Sequence, residues 1–487
     1  MISATNPTEV LATVALSEEV AGAPLGDARL RRRYIQIIER MSIKPDASIP
    51  EAMSDLAMLE AYYRFMRNKA VDHFKLLEPH FQGCQARCED MGPVLIAHDT
   101  TEFAFDIHDE PGRQNVPRLS KNRVGFYWHA SLALTALDGC RVPMGLIASR
   151  PFVHASQIED DQTRSLWEEI GGIYANEKWR WMESVEEAEK RLEHVEQVIH
   201  VMDREGDDYE TLSAMHVSGY DYVIRLTYDR NIIDGPRRND YQKLSQVLKE
   251  VAWEGEEREI FLSARPRRKA DAGHAVRRSR KTRMKVRSIP VELRRPDSVK
   301  TGDAAATLPT YVVEVLESRA PENEAPVRWL LVTNQPVETV QQMWQVVDWY
   351  RARWTIEEFF KALKTGAAYK HIQHKRAETL LAALSAKAVV AWHLLVLRHI
   401  GQNAPNVPAL GVVSRLQLQI LRSLKPKLLS VRPTALEVMN VIARLGGHIP
   451  HNGPPGWMVL GRGWRHMREV EKGFRLALDS GAWSDEM

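Results

Sequence analysis

Three acidic positions in this 487-residue chain have the context that metal-assisted phosphoryl chemistry requires. Moving a phosphoryl group with two divalent ions needs carboxylates converging from separate elements. The ions must be bridged by protein and still be open to phosphate and water. Asp99 closes the apolar run VLIAHD, and Asp203 closes VIHVMD just before REGDD. In open α/β sheets, residues just past strand ends sit at the rim where ligands bind. An acid that ends a strand is also ordinary turn chemistry, so either position alone is a weak signal.

The third acid lies in YRARWTIEEFFKALKTG, Tyr350 to Gly366. At about 100° per residue, Tyr350, Arg353, Glu357 and Lys364 fall at about 0°, 300°, 340° and 320° on one helical stripe. Ile356, Phe359, Phe360 and Leu363 fill the neighbouring sector, which should face the core. Glu358, at about 80°, points away from both, so the geometry selects Glu357. A surface helix with ion pairs such as Glu357 with Lys361 accounts for the charges. It accounts less well for a phenol and two cations aligned with one glutamate. A carboxylate for metal, flanked by groups for phosphate oxygens, explains the whole stripe.

Secondary-structure signals place these residues in an α/β frame. Up to about residue 90 the pattern is helical: LGDARLRRRYIQIIERMS sets Arg29, Arg31, Arg32 and Arg33 against Leu30, Tyr34, Ile37 and Ile38. A second helix carries Arg64 and Arg67 near its end. One basic helix is usually a solvated surface; two in one unit raise the chance of phosphate contacts. From Gly92, PVLIAHDTTEF, FYWHASLALTAL and VPMGLIASRPF suit three successive strands. A charged helix follows, then strands ending at Asp203 and near Arg225, which indicates an α/β core. Residues 231–327 are rich in Arg, Lys, Pro and short strand-like pieces and read as a β-rich insertion. Its basic run, starting RPRRKADAGHAVRRSRKTR, fits a solvated loop or a nucleic-acid-facing surface equally well. After about residue 367 the chain is helical to its end, with a stop at Gly446 and Gly447.

Bulk composition narrows the class. Hydrophobic residues at 44% and charged residues at 27% are those of a soluble globular protein, and the length calls for several structural units. Three cysteines argue against a disulfide framework, and Cys84 and Cys88, one turn apart, read as lone thiols. The first residues lack a basic leader, so no secretory signal is expected. The run Leu380 to Leu397 contains Lys387 and His393, which fits a buried helix better than a membrane span.

Taken together, these pieces resemble the IS4 family of DDE transposases. YRARWTIEEFFKALKTG matches its Y-(2)-R-(3)-E-(6)-K signature, a specific signal. HDTTEF, MDREGD, RWLLVTNQPVE, YRFMRN and IARLGG follow in the family's order across nearly the whole chain. The family's wording after Asp203 differs here, and the N-terminal segment matches only in patches. The resemblance implies an RNase H-like α/β catalytic core (residues 91–370) with its β-rich insertion at about 231–327. A helical DNA-binding domain (1–90) and a helical dimerisation domain (371–487) would flank it.

It further implies that Asp99, Asp203 and Glu357 bind two Mg²⁺ ions, with Mn²⁺ as an alternative. Tyr350, Arg353, Lys364 and Lys361 would hold DNA phosphates. Trp329 would stack on a flipped base, unless it is simply a core aromatic. Arg204 and Arg225 would reach DNA near the site, and Arg29, Arg33, Arg64 and Arg67 would do so from the N-terminal helices. The implied activity is cut-and-paste transposition: binding terminal inverted repeats, nicking, excision through a hairpin, and joining of 3′-OH ends to target DNA. The implied partners are double-stranded DNA and a second copy of the chain, without a membrane, in the bacterial cytoplasm. A DDE nuclease without strand transfer and a non-catalytic inhibitor of transposition are the rival readings.

Overall fold

A computed structural model describes residues 16–89, 91–107, 112–136, 141–174, 178–235, 240–264, 276–300 and 302–479. The first stretch of the basic run, 265–275, lies outside the described residues.

The apolar runs after Gly92 become β1 (Val94–Asp106), β3 (Arg123–Thr135) and β4 (Pro143–His154), with a short β2 (Arg118–Ser120) between the first two. These three long strands are antiparallel neighbours. Their near-continuous burial follows from helices on both faces, which is why the runs read as solid apolar stretches. β5 (Ile173–Tyr174) pairs with β4. β6 (Val198–Met202) and β7 (Asp221–Arg225) then join parallel to β1 on its other side. Thus β4-β3-β1-β6-β7 forms the part of the sheet that carries Asp99 and Asp203.

The segment from residue 231 extends the same sheet. β8 (Asn231–Ile233), β9 (Tyr241–Lys243), β10 (Glu254–Leu262), β11 (Arg280–Arg294) and β12 (Thr307–Glu317) lead to β13 (Arg328–Thr333), which pairs antiparallel with β7. Among the described residues the sheet has 13 strands and is mixed.

Helices cover it. On the N-terminal side, α1 (Leu16–Glu19), α2 (Ala28–Ile43), α3 (Ile49–Met53), α4 (Leu56–Met66) and α5 (His73–Cys88) precede β1. Asp27, Ser48, Asp55 and Asp72 cap four of them by accepting from backbone N–H groups, so each start is encoded locally. Cys84 and Cys88 are free thiols buried in α5. α6 (Asp161–Glu169), α7 (Trp179–Arg191), α8 (Tyr209–Ser218) and α9 (Leu244–Glu250) lie between strands.

After β13 come α10 (Val340–Ala352), α11 (Trp354–Lys361), α12 (Ala377–Asn403), α13 (Arg415–Leu424), α14 (Ala435–Leu445) and α15 (Trp457–Asp479). α12 is long and apolar enough to cross a membrane, but 94% of its most apolar stretch is buried inside the fold. There Lys387 donates to the Pro45 carbonyl at 2.9 Å, and His393 packs its ring edge on Trp464. α12 is a core helix.

Candidate active site

β1 does not end at Asp99. It runs seven residues further, with Asp99 paired to Ala130 of β3. The expected strand end is instead a change of partner. The parallel ladder between β1 and β6 stops at Ala97 and Val201, so Asp99 and Asp203 each lie two residues beyond its last rung. Side chains alternate along extended chain, so both acids continue the face of Ala97 and Val201. Asp203 remains extended and accepts the Glu205 N–H at 2.9 Å, opening a short helical turn.

Glu357 arrives on a helix that is not continuous. The expected single helix from Tyr350 breaks at Arg353, which ends α10 and opens α11. At the break, Arg353 N–H bonds to Tyr350 O and Ile356 N–H to Arg353 O, both i to i−3 contacts that tighten the turn. Beyond Lys361 the backbone widens into a π turn over Ala362–Gly366. The uniform 100° stripe is therefore corrected, although Arg353 and Glu357 still share a side. Arg353 Nη2 donates to Glu357 Oε1 at 2.6 Å, and Arg353 Nη1 to Asp99 Oδ2 at 3.1 Å. Ile356, Phe359, Phe360 and Leu363 are buried, as the apolar sector predicts.

The electrostatics follow from burial. Burial pushes the Asp99 carboxyl up to about 7; Arg353 opposes the rise, while Asp203 and Glu357 add to it. Burial also raises Glu357, against the pull of Arg353 and Lys361, with Asp203 adding to the rise. Although burial disfavours its charge, Arg353 is held above the usual guanidinium value by Asp99, Asp203, Tyr350 and Glu357. All three acids thus act on one guanidinium.

The other expected contacts divide. Lys364 Nζ donates to Thr101 Oγ1 at 2.6 Å, and burial pulls its ammonium below the usual range. Tyr350 is buried rather than displayed, with Trp329 against its ring at 5.7 Å and Arg225 Nη1 at 3.5 Å from its hydroxyl. Trp329 is half-buried on β13, and Arg204 is exposed directly after Asp203. Lys361 pairs at 2.7 Å with Glu358, so the surface pair with Glu357 that charge spacing allowed is not the one formed. Glu358 also holds Arg398 from α12. Although burial opposes it, Lys361 and Arg398 keep the Glu358 carboxyl below its usual range.

The N-terminal arginines stand apart from this cluster. Arg29 is exposed and pairs with its cap residue Asp27 at 3.1 Å. Arg33, half-buried, points to Met58 Sδ, while Arg64 is exposed and Arg67 lies 6.0 Å over Tyr63. Among the described contacts, none of these four touches the triad.

As they stand, no three His, Cys, Asp or Glu side chains among the described residues are gathered tightly enough to hold a metal, and Arg353 lies between two of the acids. The donor set nevertheless fits a hard divalent ion. It consists of carboxylate oxygens, mutually repelling, already bridged by a stand-in cation. Sequence reasoning missed Thr101 and a layer of buried histidines behind the acids: His98, His129 and His200. Their signal was present, since VLIAHD and VIHVMD each place a histidine on the strand face opposite the acid.

Two family models match the chain. Residues 13–71 match the one described as Transposase DNA-binding. Residues 182–392 match the Transposase DDE domain, which includes Asp203 and Glu357 and begins after Asp99.

Proposed function

We propose that this chain, which carries a transposase DNA-binding region followed by a DDE transposase domain, is a cut-and-paste DNA transposase of the IS4 family with an RNase H-like core. The observation that carries the reading is the meeting of Asp99 and Glu357 on Arg353 within the field of Asp203. The antiparallel β4-β3-β1 unit, followed by two strands parallel to β1, supports the core assignment.

In this reading Asp99, Asp203 and Glu357 would hold two Mg²⁺ ions, or Mn²⁺. Ions held there would supply activation of water or a 3′-OH and charge stabilisation of the departing oxygen. Arg353 and Lys364 orient the scissile phosphate by charge-assisted hydrogen bonds, with Lys361 and Arg204 at the edge. Trp329, backed by Tyr350 and Arg225, offers its ring to an unstacked base. Arg29, Arg33, Arg64 and Arg67 grip the transposon end from the N-terminal helices.

Water breaks the P–O3′ bond of one strand and leaves a 3′-OH. That hydroxyl attacks the opposite strand, closing a hairpin and releasing flanking DNA. A second water opens the hairpin, and the 3′-OH then attacks target DNA. Each strand transfer exchanges one phosphodiester for another, so no external energy source is needed. Two copies of the chain pair, each cutting the end bound by the other, in the bacterial cytoplasm on nucleoid DNA. Residues 1–90, 91–370 and 371–487 are the corresponding functional units.

The test is incubation with Mg²⁺, a plasmid carrying the cognate inverted repeats, and a target. Joined products are expected. Cleavage alone would make the protein a nuclease, and binding without either product would make it an inhibitor.

A further inference from the structure

On the face of the sheet opposite Asp99 and Asp203, a chain of hydrogen bonds crosses three strands and ends on a helix. Ser131 of β3 contacts His98 Nδ1 at 2.9 Å, and His98 Nε2 contacts His200 Nδ1 at 2.8 Å. His200 Nε2 then meets Glu189 Oε1 of α7 at 2.9 Å. Ser131, His98 and His200 have no solvent exposure. With both rings neutral, the protons can be assigned from one end. The Glu189 carboxylate only accepts, so His200 carries its proton on Nε2 and accepts at Nδ1. His98 must then donate from Nε2 and accept at Nδ1 from the Ser131 hydroxyl. Every group in the chain is satisfied by this single direction.

The location gives the chain its meaning. The β1–β6 backbone ladder ends at Ala97 and Val201, whereas β1 stays paired to β3 through Asp106. Asp99 is thus fixed to β3 by backbone bonds, but no backbone rung ties the end of β6, and hence Asp203, to β1. The His98–His200 bond joins the two strands diagonally, from His98, one residue past the last rung, back to His200, which still lies in the ladder opposite Ile96. We infer that His98 and His200, oriented by Ser131 and Glu189, are positioning residues that set the separation of the Asp99 and Asp203 carboxylates. The inference rests on the proposed role of those acids as metal ligands. Misplacement by about 1 Å costs on the order of 100-fold in rate, so one strand-to-strand bond is enough to matter.

The test compares His98→Leu, His98→Gln and Glu189→Leu with Asp99→Asn in the full-length protein. Mn²⁺ affinity is measured by calorimetry without DNA, alongside the single-turnover cleavage rate and the Kd for an end-bearing duplex. His98→Leu should weaken Mn²⁺ binding about 10-fold and slow cleavage about 100-fold, with the DNA Kd within about 2-fold. His98→Gln keeps a side-chain N–H directed at His200 and should recover most of both losses. ¹⁵N spectra of the wild type should show His200 protonated on Nε2.

If His98→Leu fails to fold, Glu189→Leu carries the comparison, since it removes the acceptor that orients His200 and should weaken Mn²⁺ binding in the same direction. Wild-type Mn²⁺ affinity and rate in the substituted proteins would overturn the proposal, as would a loss that glutamine at position 98 does not rescue. Unchanged Mn²⁺ binding in Asp99→Asn would instead overturn the ligand role of the triad itself.

Discussion

Arg353 donates to Asp99 at 3.1 Å while its second terminal nitrogen donates to Glu357 at 2.6 Å, so one guanidinium bridges two acids that lie far apart in the sequence. A guanidinium cannot shed its proton to make room for another cation. For these carboxylates to share a metal, the side chain has to rotate away, and the phosphate of bound DNA is its natural next partner. In the proposed function, metal and DNA binding would thereby be linked through one residue.

Replacing Arg353 separates the two effects. Arg353→Ala should bind Mn²⁺ more tightly than wild type in the absence of DNA, because the competing cation is gone. It should nonetheless cut DNA on the order of 100-fold more slowly, having lost a donor to the developing phosphate charge. Calorimetry and single-turnover cleavage on the same preparation check both. A weaker Mn²⁺ affinity would show that Arg353 supports the acids more than it competes with an ion.

Asp99 makes the metal-free protein pH-sensitive in a defined direction. Its folded carboxyl is raised from 3.8 to about 7, so its contribution to stability is complete below about 3.8 and is lost as pH rises through about 7. In EDTA, Asp99→Asn should therefore gain Tm relative to wild type as pH climbs from about 4 to 8. A parallel pair of Tm–pH curves would contradict this.

The adjacent glutamates should fail differently. Glu357→Ala should abolish all DNA products while leaving the fold intact. Glu358→Ala should retain the chemistry but lose about 1–3 kcal/mol of stability, because Glu358 ties α11 to Arg398 of α12 and to Lys361. Product gels and denaturant midpoints distinguish the two; loss of chemistry with Glu358→Ala alone would reverse the assignment.

Helix packing near the C-terminus gives a test independent of function. A Cβ on Gly463 of α15 would collide with the Ile442 carbonyl of α14, and one on Gly446 with the Val459 carbonyl. Backbone on both sides leaves little room to yield. Gly463→Ala should cost about 2–3 kcal/mol or more, read from the denaturant midpoint. An exposed control, Gly473→Ala, meets nothing within 4 Å and should be close to neutral or stabilising.

Much of this protein could be read locally. The capping acids Asp27, Asp55 and Asp72, the apolar runs of β1 and β4, and the glycine that ends α14 each act through neighbours within a few residues. Their signals therefore survive in the linear order. The pairing of Glu357 with Arg353 was also legible, because four residues of helix put the two side by side. What the linear order could not express is which distant groups meet. It put Asp99 at a strand end, whereas the strand continues and only the β6 partner stops. It drew one smooth helix where Arg353 breaks α10 from α11. It left Glu358 idle, although Arg398, forty residues on, claims it. The histidine chain behind the acids depends on the register of three strands more than a hundred residues apart at the extremes. Periodicity and capping are set by nearest neighbours, so the sequence alone determined the elements and the side chains on offer. Register and ion pairing arise only when those elements pack, so the tertiary structure alone decided which charges would be buried together.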